Sequence, residues 1–202
     1  MSQRNRSDKR ERILLAAVKV FAAKGFYCAR VSDVARAAGV ADGTIYLYFS
    51  SKEELLRGLF EENLTRIIGQ LQSLVVEGIS AEEKLERLFE GYTQFTENEP
   101  ELAEVLTVEL RESGKFMNEF AAPLFGEFLR IVVDVLDAGQ SAGEFRKDFS
   151  TRTIARAMFG ALDELALSWV MSKRKWNLHQ SGREVVDVFL RGMRVTSPGD
   201  AD

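Results

Sequence analysis

The 202-residue chain has one cysteine, one histidine and three prolines, and each scarcity removes a class of protein. A lone Cys28 excludes an internal disulfide and points to a reducing cytoplasm. Cys28 and His179 together cannot supply the four ligands of a structural zinc site, so no metal or other cofactor is expected. No apolar run approaches the ~20 residues of a membrane-spanning helix, so no membrane partner is expected. The N-terminal stretch MSQRNRSDKRERI is basic and polar and lacks the apolar centre of a signal peptide, which again predicts a cytoplasmic protein. Strand signals are missing too: the one Asp-Gly pair, Asp42-Gly43, has no alternating flanks.

What is present is helical periodicity and an uneven charge. The net charge of −4 divides into +5 over residues 1–58, with 11 Lys/Arg against 6 Asp/Glu, and −9 over the remainder. A basic front end on an acidic body predicts that only the front meets a polyanion. Residues 8–24 place Ile13, Ala17 and Phe21 on one face, and Gly25 follows as a stop signal. Ser51-Lys-Glu-Glu54 and Ser80-Ala-Glu-Glu83 read as capping boxes, the first opening a helix to about residue 76. Pro100 suits the first turn of another helix. A further helix is predicted over 115–138, kinked or divided by Pro123. Ser150 opens one to about residue 172, and Ser181 or Gly182 opens the last, to about residue 194. The sequence thus predicts an all-α fold of about nine helices: a three-helix head with a basic arm over residues 1–51, a larger body over 52–196, and a disordered tail over 197–202.

Residues 32–49 read as two short helices around a tight turn. Ala35 permits close approach, Gly39 supplies the left-handed turn, and Val34, Ala38, Val40 and Ile45 form an apolar seam, which is the helix-turn-helix pattern. At 100° per residue, Ile45 and Phe49 anchor the second helix, while Gly43, Thr44, Leu47 and Tyr48 fall opposite, with Tyr46 at the edge. Gly43 allows a close backbone approach, Thr44 and the tyrosine hydroxyls can donate to phosphates, and Leu47 can meet a thymine methyl. Lys52, at the next helix start, is placed to favour an anion. The bland alternative is that both tyrosines only cover the head. The arm Arg4, Arg6, Lys9, Arg10 and Arg12 favours DNA, although such an arm can also be a solvated tail. Asp42 argues mildly the other way.

The stretch RERILLAAVKVFAAKGFYCARVSDVARAAGVADGTIYLYFSSKEELL resembles the DNA-binding head of TetR-family transcriptional repressors. That resemblance implies a homodimer on palindromic operator DNA, contacted through the residues matching Thr44, Tyr46, Leu47, Tyr48 and Lys52; Arg30 and Gly43 are further DNA-contact candidates. Arg30 stands where many members carry a Ser or Thr cap, and Ala41 replaces a frequent Ser. In the body, VELRES (108–113), SAGEF (141–145) and IARAMFGALDELALSWVM (154–171) resemble the TetR-type FadR branch. This implies a long-chain acyl-CoA effector and control of fatty acid degradation genes.

Ten of the 14 phenylalanines lie in residues 81–202. Phe89, Tyr92, Phe95, Leu106, Leu110, Phe120, Phe128 and Phe159 are the candidate acyl-chain lining, with Arg111 the chosen cation for the headgroup. The other candidate cations are Lys115, Arg146, Lys147, Arg156, Lys173, Arg174 and Lys175. Aromatic stripes at helical spacing are also how an ordinary core looks, and Lys173–Lys175 also suits a solvated helix end. Phe159, Leu162, Trp169, Val185 and Phe189 are predicted to form a dimer interface, or else to close the monomer core. The expected mechanism is a repressor whose effector changes the spacing of two recognition helices, with the helix from residue 52 linking body to head. An efflux repressor sensing an apolar or cationic drug-like ligand is the alternative. A more remote one is an acyl-CoA-processing enzyme, but paired carboxylates such as Asp163-Glu164 point apart on a helix and no catalytic residues are assigned.

Overall fold

The computed structural model describes residues 3–109 and 122–195. Nine helices account for about three quarters of them. They are α1 (Gln3–Lys24), α2 (Val31–Ala38), α3 (Asp42–Tyr46), α4 (Lys52–Gln72), α5 (Ala81–Asn98), α6 (Pro100–Glu104), α7 (Ala122–Ala142), α8 (Thr151–Met171) and α9 (Leu178–Met193). Helix α6 runs on into a π-helical turn, Val105–Glu109. Among the described residues the one β feature is an isolated bridge between Phe145 and Arg194.

The first compact unit comprises residues 3–66 and 99–109. Helix α1 starts at Gln3, so the predicted arm is helical rather than a free tail. It stops where Gly25 turns left-handed, φ 72°. Helix α2 stops in the same way at Gly39, φ 65°, whose N–H donates to Arg36 O while Val40 N–H reaches Ala35 O at 3.0 Å. These bonds satisfy carbonyls that the helix end leaves open. Ile13, Ala17, Phe21, Val34, Ala35, Ile45 and Phe49 form one buried core with Leu55, Leu59 and Phe60 of α4. That burial explains why α4 as far as Arg66 clusters with the head, whereas the sequence reading drew its boundary at residue 51. The cap of α4 is half of the predicted box. Ser51 Oγ accepts from Glu54 N–H at 3.1 Å, but the Glu54 carboxylate reaches back to Ser50 instead of Ser51.

The second unit comprises residues 67–98 and 123–195. Ser80 Oγ accepts from Glu83 N–H at 3.1 Å, again half of the predicted box because the Glu83 carboxylate pairs with Arg87, and Ser150 caps α8 as read from sequence. Pro123 sits in the first turn of α7, which then runs unbroken to Ala142, so no kink arises within the described part. The predicted start of the last helix is corrected. Asn177 is the cap, its Oδ1 accepting from Gln180 N–H at 2.8 Å, and Ser181 and Gly182 lie inside α9. Gly182 has a different reason to be glycine: a Cβ there would stand 2.7 Å from Thr93 Cγ2 on α5. The residues 110–121 and 196–202, with Leu110, Arg111, Lys115, Phe116, Phe120 and the predicted tail, lie outside the described residues.

Candidate functional site

Helix α3 is short, and its two faces are sharply unlike. Ile45 and Phe49 are buried, while Tyr46 is 55% and Leu47 72% exposed, large apolar areas that a self-sufficient head would cover. Thr44 and Tyr48 are half-buried, so of the two tyrosines Tyr46, expected at the edge of the arc, is the more exposed. Gly43 is exposed, and a Cβ there would meet nothing within 4 Å. Its lack of a side chain therefore has no packing cause inside the chain. Beside α3 a recess of about 460 Å³ is lined by Ala29, Arg30, Val31, Ser32, Asp42, Tyr46 and Lys52. Three predicted DNA-facing residues, Arg30, Tyr46 and Lys52, thus border one hollow at the open N-terminus of α2.

Other cations of the head are held by the head itself. Arg12 Nη2 donates to Ala38 O at 2.7 Å, and Arg10 pairs with Glu62 on α4 and lies over the Phe49 ring. Neither is part of a loose arm. Lys52, predicted to face an anion, directs its ammonium to backbone carbonyls of the α1–α2 connector.

Arg30 precedes α2 and has no side-chain acceptor, so the reciprocal box is absent. Asp33 supplies the bond instead, accepting from Arg30 N–H at 3.1 Å, and pairs with Lys24 at 2.9 Å. The Lys24 contact, then the Arg30 N–H, hold the Asp33 carboxyl below its usual value. A lowered carboxyl contributes stability above the unfolded-state pKa and loses it as pH falls through the folded one. We therefore expect the protection of α2 amides, relative to free amides at the same pH, to fall progressively below about pH 4, where an ordinary aspartate begins to protonate. Asp33→Asn should exchange faster than wild type at neutral pH and show a flatter profile in acid. A variant with the wild-type acid profile would remove Asp33 as the cause.

In the second unit the predicted acyl-chain lining converges in part. Phe128 lies edge-on to Phe89, with ring centroids 6.4 Å apart. Phe159 meets Phe128 at 5.4 Å, Tyr92 at 6.1 Å and Phe125 at 5.6 Å. Phe125, not among the candidates, precedes Phe128 by three residues on α7, a spacing that sets both on one face of the helix. Phe95 is half-buried on α5, and Leu106 is buried in the first unit. The Tyr92 hydroxyl donates to Asp163 at 3.2 Å, a polar bond at the edge of the aromatic cluster. Glu164 turns away to Ser168, so the adjacent carboxylates diverge. A cleft of about 380 Å³ between α5 and α9 touches Phe89, but Glu86, Glu90, Glu184 and Asp187 outnumber Arg183 on its walls and would repel a phosphate.

Two of the candidate dimer-interface residues are buried within the single chain. Leu162 is fully buried, and Trp169 is buried with its indole N–H donating to Trp176 O at 2.8 Å, so both belong to the protomer core. Val185 and Phe189 are half-buried. The exposed large apolar residues of α8, α9 and the two residues after α9 are Met171, Val188 and Val195, which are absent from the predicted interface. The spacing Val185, Val188, Val195 was the available signal. Lys173 and Arg174 take left-handed backbone at the end of α8, and with Lys175 they are exposed. Among the described residues, no group of three His, Cys, Asp or Glu could hold a metal ion, and no helix is long and apolar enough to cross a membrane.

Two consecutive stretches of the chain match known families, and the chain as a whole matches known proteins. Residues 13–59 match the family model "Bacterial regulatory proteins, tetR family", and residues 60–192 match "YsiA-like protein, C-terminal region". The fatty acid metabolism regulator protein of Bacillus subtilis is 32% identical over 190 residues, covering 94% of this chain and 98% of that one. The fatty acid degradation regulator FadR from Bacillus halodurans superposes with a TM-score of 0.86 at 36% identity, covering 91% of this chain and 95% of that one. A structure of FadR from Bacillus subtilis in complex with stearoyl-CoA superposes at 0.85 with 32% identity, covering 90% and 98% of the two chains. The resemblance is to regulators and not to enzymes, and it runs through head and body alike. The chain belongs to the TetR family of bacterial regulatory proteins.

Proposed function

We propose that this regulator is a homodimeric repressor that long-chain acyl-CoA releases from palindromic operator DNA, and that its targets are fatty acid degradation genes. The observation that carries the effector is the near full-length likeness to a FadR bound to stearoyl-CoA, joined to the convergence of Phe89, Tyr92, Phe128 and Phe159 in the body. In this reading the α3 face enters the major groove, with Gly43 at closest approach and Leu47 on base edges. Arg30, Thr44, Tyr46 and Tyr48 meet phosphates around the recess at the α2 N-terminus, where helix N–H groups favour an anion. The apolar side chains Val185, Val188, Phe189 and Met171 meet a second copy across a helix bundle, which sets two recognition helices about 34–36 Å apart. An acyl chain favours a different spacing only in so far as it binds the two conformations unequally.

The test is fluorescence anisotropy on a labelled duplex from the chain's own upstream region, titrated with palmitoyl-CoA below its detergent threshold. Palmitate and free CoA are the controls. We expect palmitoyl-CoA alone to weaken binding by about 5- to 150-fold, the usual range of such couplings. Unchanged affinity at saturating palmitoyl-CoA would sink the effector and leave the DNA reading standing. The acidic walls of the α5–α9 cleft favour a second reading, an efflux repressor sensing a cationic apolar ligand. Release by a cationic dye and not by palmitoyl-CoA would select it.

A further inference from the structure

Lys52 is the first residue of α4, where the positive end of the helix makes an ammonium an unfavourable side chain. A cage of oxygens explains its presence. Nζ donates to Phe26 O at 2.7 Å, Ala29 O at 3.0 Å and Tyr27 O at 3.3 Å, and stands 4.5 Å from the centroid of the Phe26 ring. An ammonium has three N–H donors, so the three carbonyls use all of them. Among the described residues no backbone N–H donates to those carbonyls, and Lys52 is what satisfies them. The connector between α1 and α2 is thus pinned twice, once by these bonds and once by Phe26, whose ring packs edge-on to the buried Phe21 at 5.4 Å.

What the connector carries is the edge of the reading face. Tyr27 is largely exposed, Ala29 is buried, and exposed Arg30 leads into the first turn of α2 beside the recess. We propose that Lys52 is a positioning residue for this face: its ammonium fixes the connector, and through it Arg30 and the α2 N-terminus, and does not itself grip a phosphate. The inference rests on reading the head as DNA-binding. It also predicts that arginine is no substitute, because a planar fork spreads its donors whereas these carbonyls converge on one point.

The test compares wild type, Lys52→Met and Lys52→Arg as full chains on a fluorescein-labelled duplex from the upstream region, across salt concentrations. Binding is measured at a temperature where circular dichroism shows each protein folded. Amide exchange over residues 26–32 is recorded in parallel. We expect both variants to lose affinity by about tenfold with the salt slope unchanged, and both connectors to exchange about tenfold faster. Wild-type affinity in Lys52→Arg, together with a slope reduced by about 0.9 per head in Lys52→Met, would make Lys52 a phosphate ligand and overturn the inference. Unchanged exchange in both variants would overturn it as well. A wild-type protein that binds no duplex would take down the DNA reading itself, and exchange would then still decide whether the cage holds the connector.

Discussion

Gly43→Leu should leave the protein folded and remove its DNA binding. Gly43 lies in the first turn of α3 with ordinary helical backbone, so a side chain there meets no conformational barrier. No atom of the chain lies within 4 Å of a Cβ built there. Glycine costs a helix up to about 1 kcal/mol relative to alanine, so within the free protein its replacement is neutral or mildly favourable. Against DNA the sign reverses. The residue sits on the exposed face with Tyr46 and Leu47, and a leucine would hold the backbone away from the groove by the thickness of its side chain. A loss of at least about a hundredfold in affinity, near 3 kcal/mol, is expected, with Gly43→Ala falling between leucine and wild type. Anisotropy on the upstream duplex and thermal melts by circular dichroism, made on the same samples, check the two halves. Full affinity in Gly43→Leu would show that α3 does not enter DNA with this face forward.

Gly139→Ala should do the opposite, damaging the body without touching the reading face. A Cβ on Gly139 would lie 2.4 and 2.5 Å from two ring carbons of Phe145 and 2.8 Å from Ala81 Cβ. None of the three can retreat easily. Phe145 is fully buried and its N–H donates to Gly139 O at 3.2 Å. Ala81 is buried at the start of α5, its N–H held by Glu144 at 2.7 Å. Overpacking against rigid neighbours costs about 1–3 kcal/mol, and this site belongs at the upper end. For a chain of this length that lowers Tm by roughly 6–12 °C. Both tryptophans, Trp169 and Trp176, lie in the second unit, so their fluorescence follows that unit specifically. Gly69→Ala on α4 is the matched control. Nothing lies within 4 Å of its added methyl, and it should gain up to about 1 kcal/mol. A Gly139→Ala protein that melts with wild type would mean that Phe145 has room to move.

Features that depend on near neighbours along the chain are legible in the residues alone. Gly25 and Gly39 end their helices because no other residue takes the left-handed turn without strain, and Ser80 and Ser150 start theirs because their hydroxyls reach an N–H three residues on. Ile45 and Phe49 lie one helical turn apart, and they anchor α3 as that spacing required. Where two capping types compete within a few residues the reading failed. Asn177 won over Ser181, and Gly182 proved to be a glycine for the sake of Thr93 on another helix.

Which neighbour each face meets depends on how helices remote in sequence pack. Periodicity marked α8 and α9 as apolar, yet it could not tell that Leu162 and Trp169 turn into the protomer while Val188 and Met171 turn outward. The composition of the arm marked it as basic, but Glu62 and Ala38 O, brought in from distant helices, fixed where Arg10 and Arg12 went. Lys52 is the sharpest case: an ammonium at a helix start suits a phosphate, and what it meets is three carbonyls from more than twenty residues earlier in the chain. A side chain's type and spacing set what it can bond. Which partner arrives is set by the packing of helices that are remote in sequence, and no local pattern encodes that.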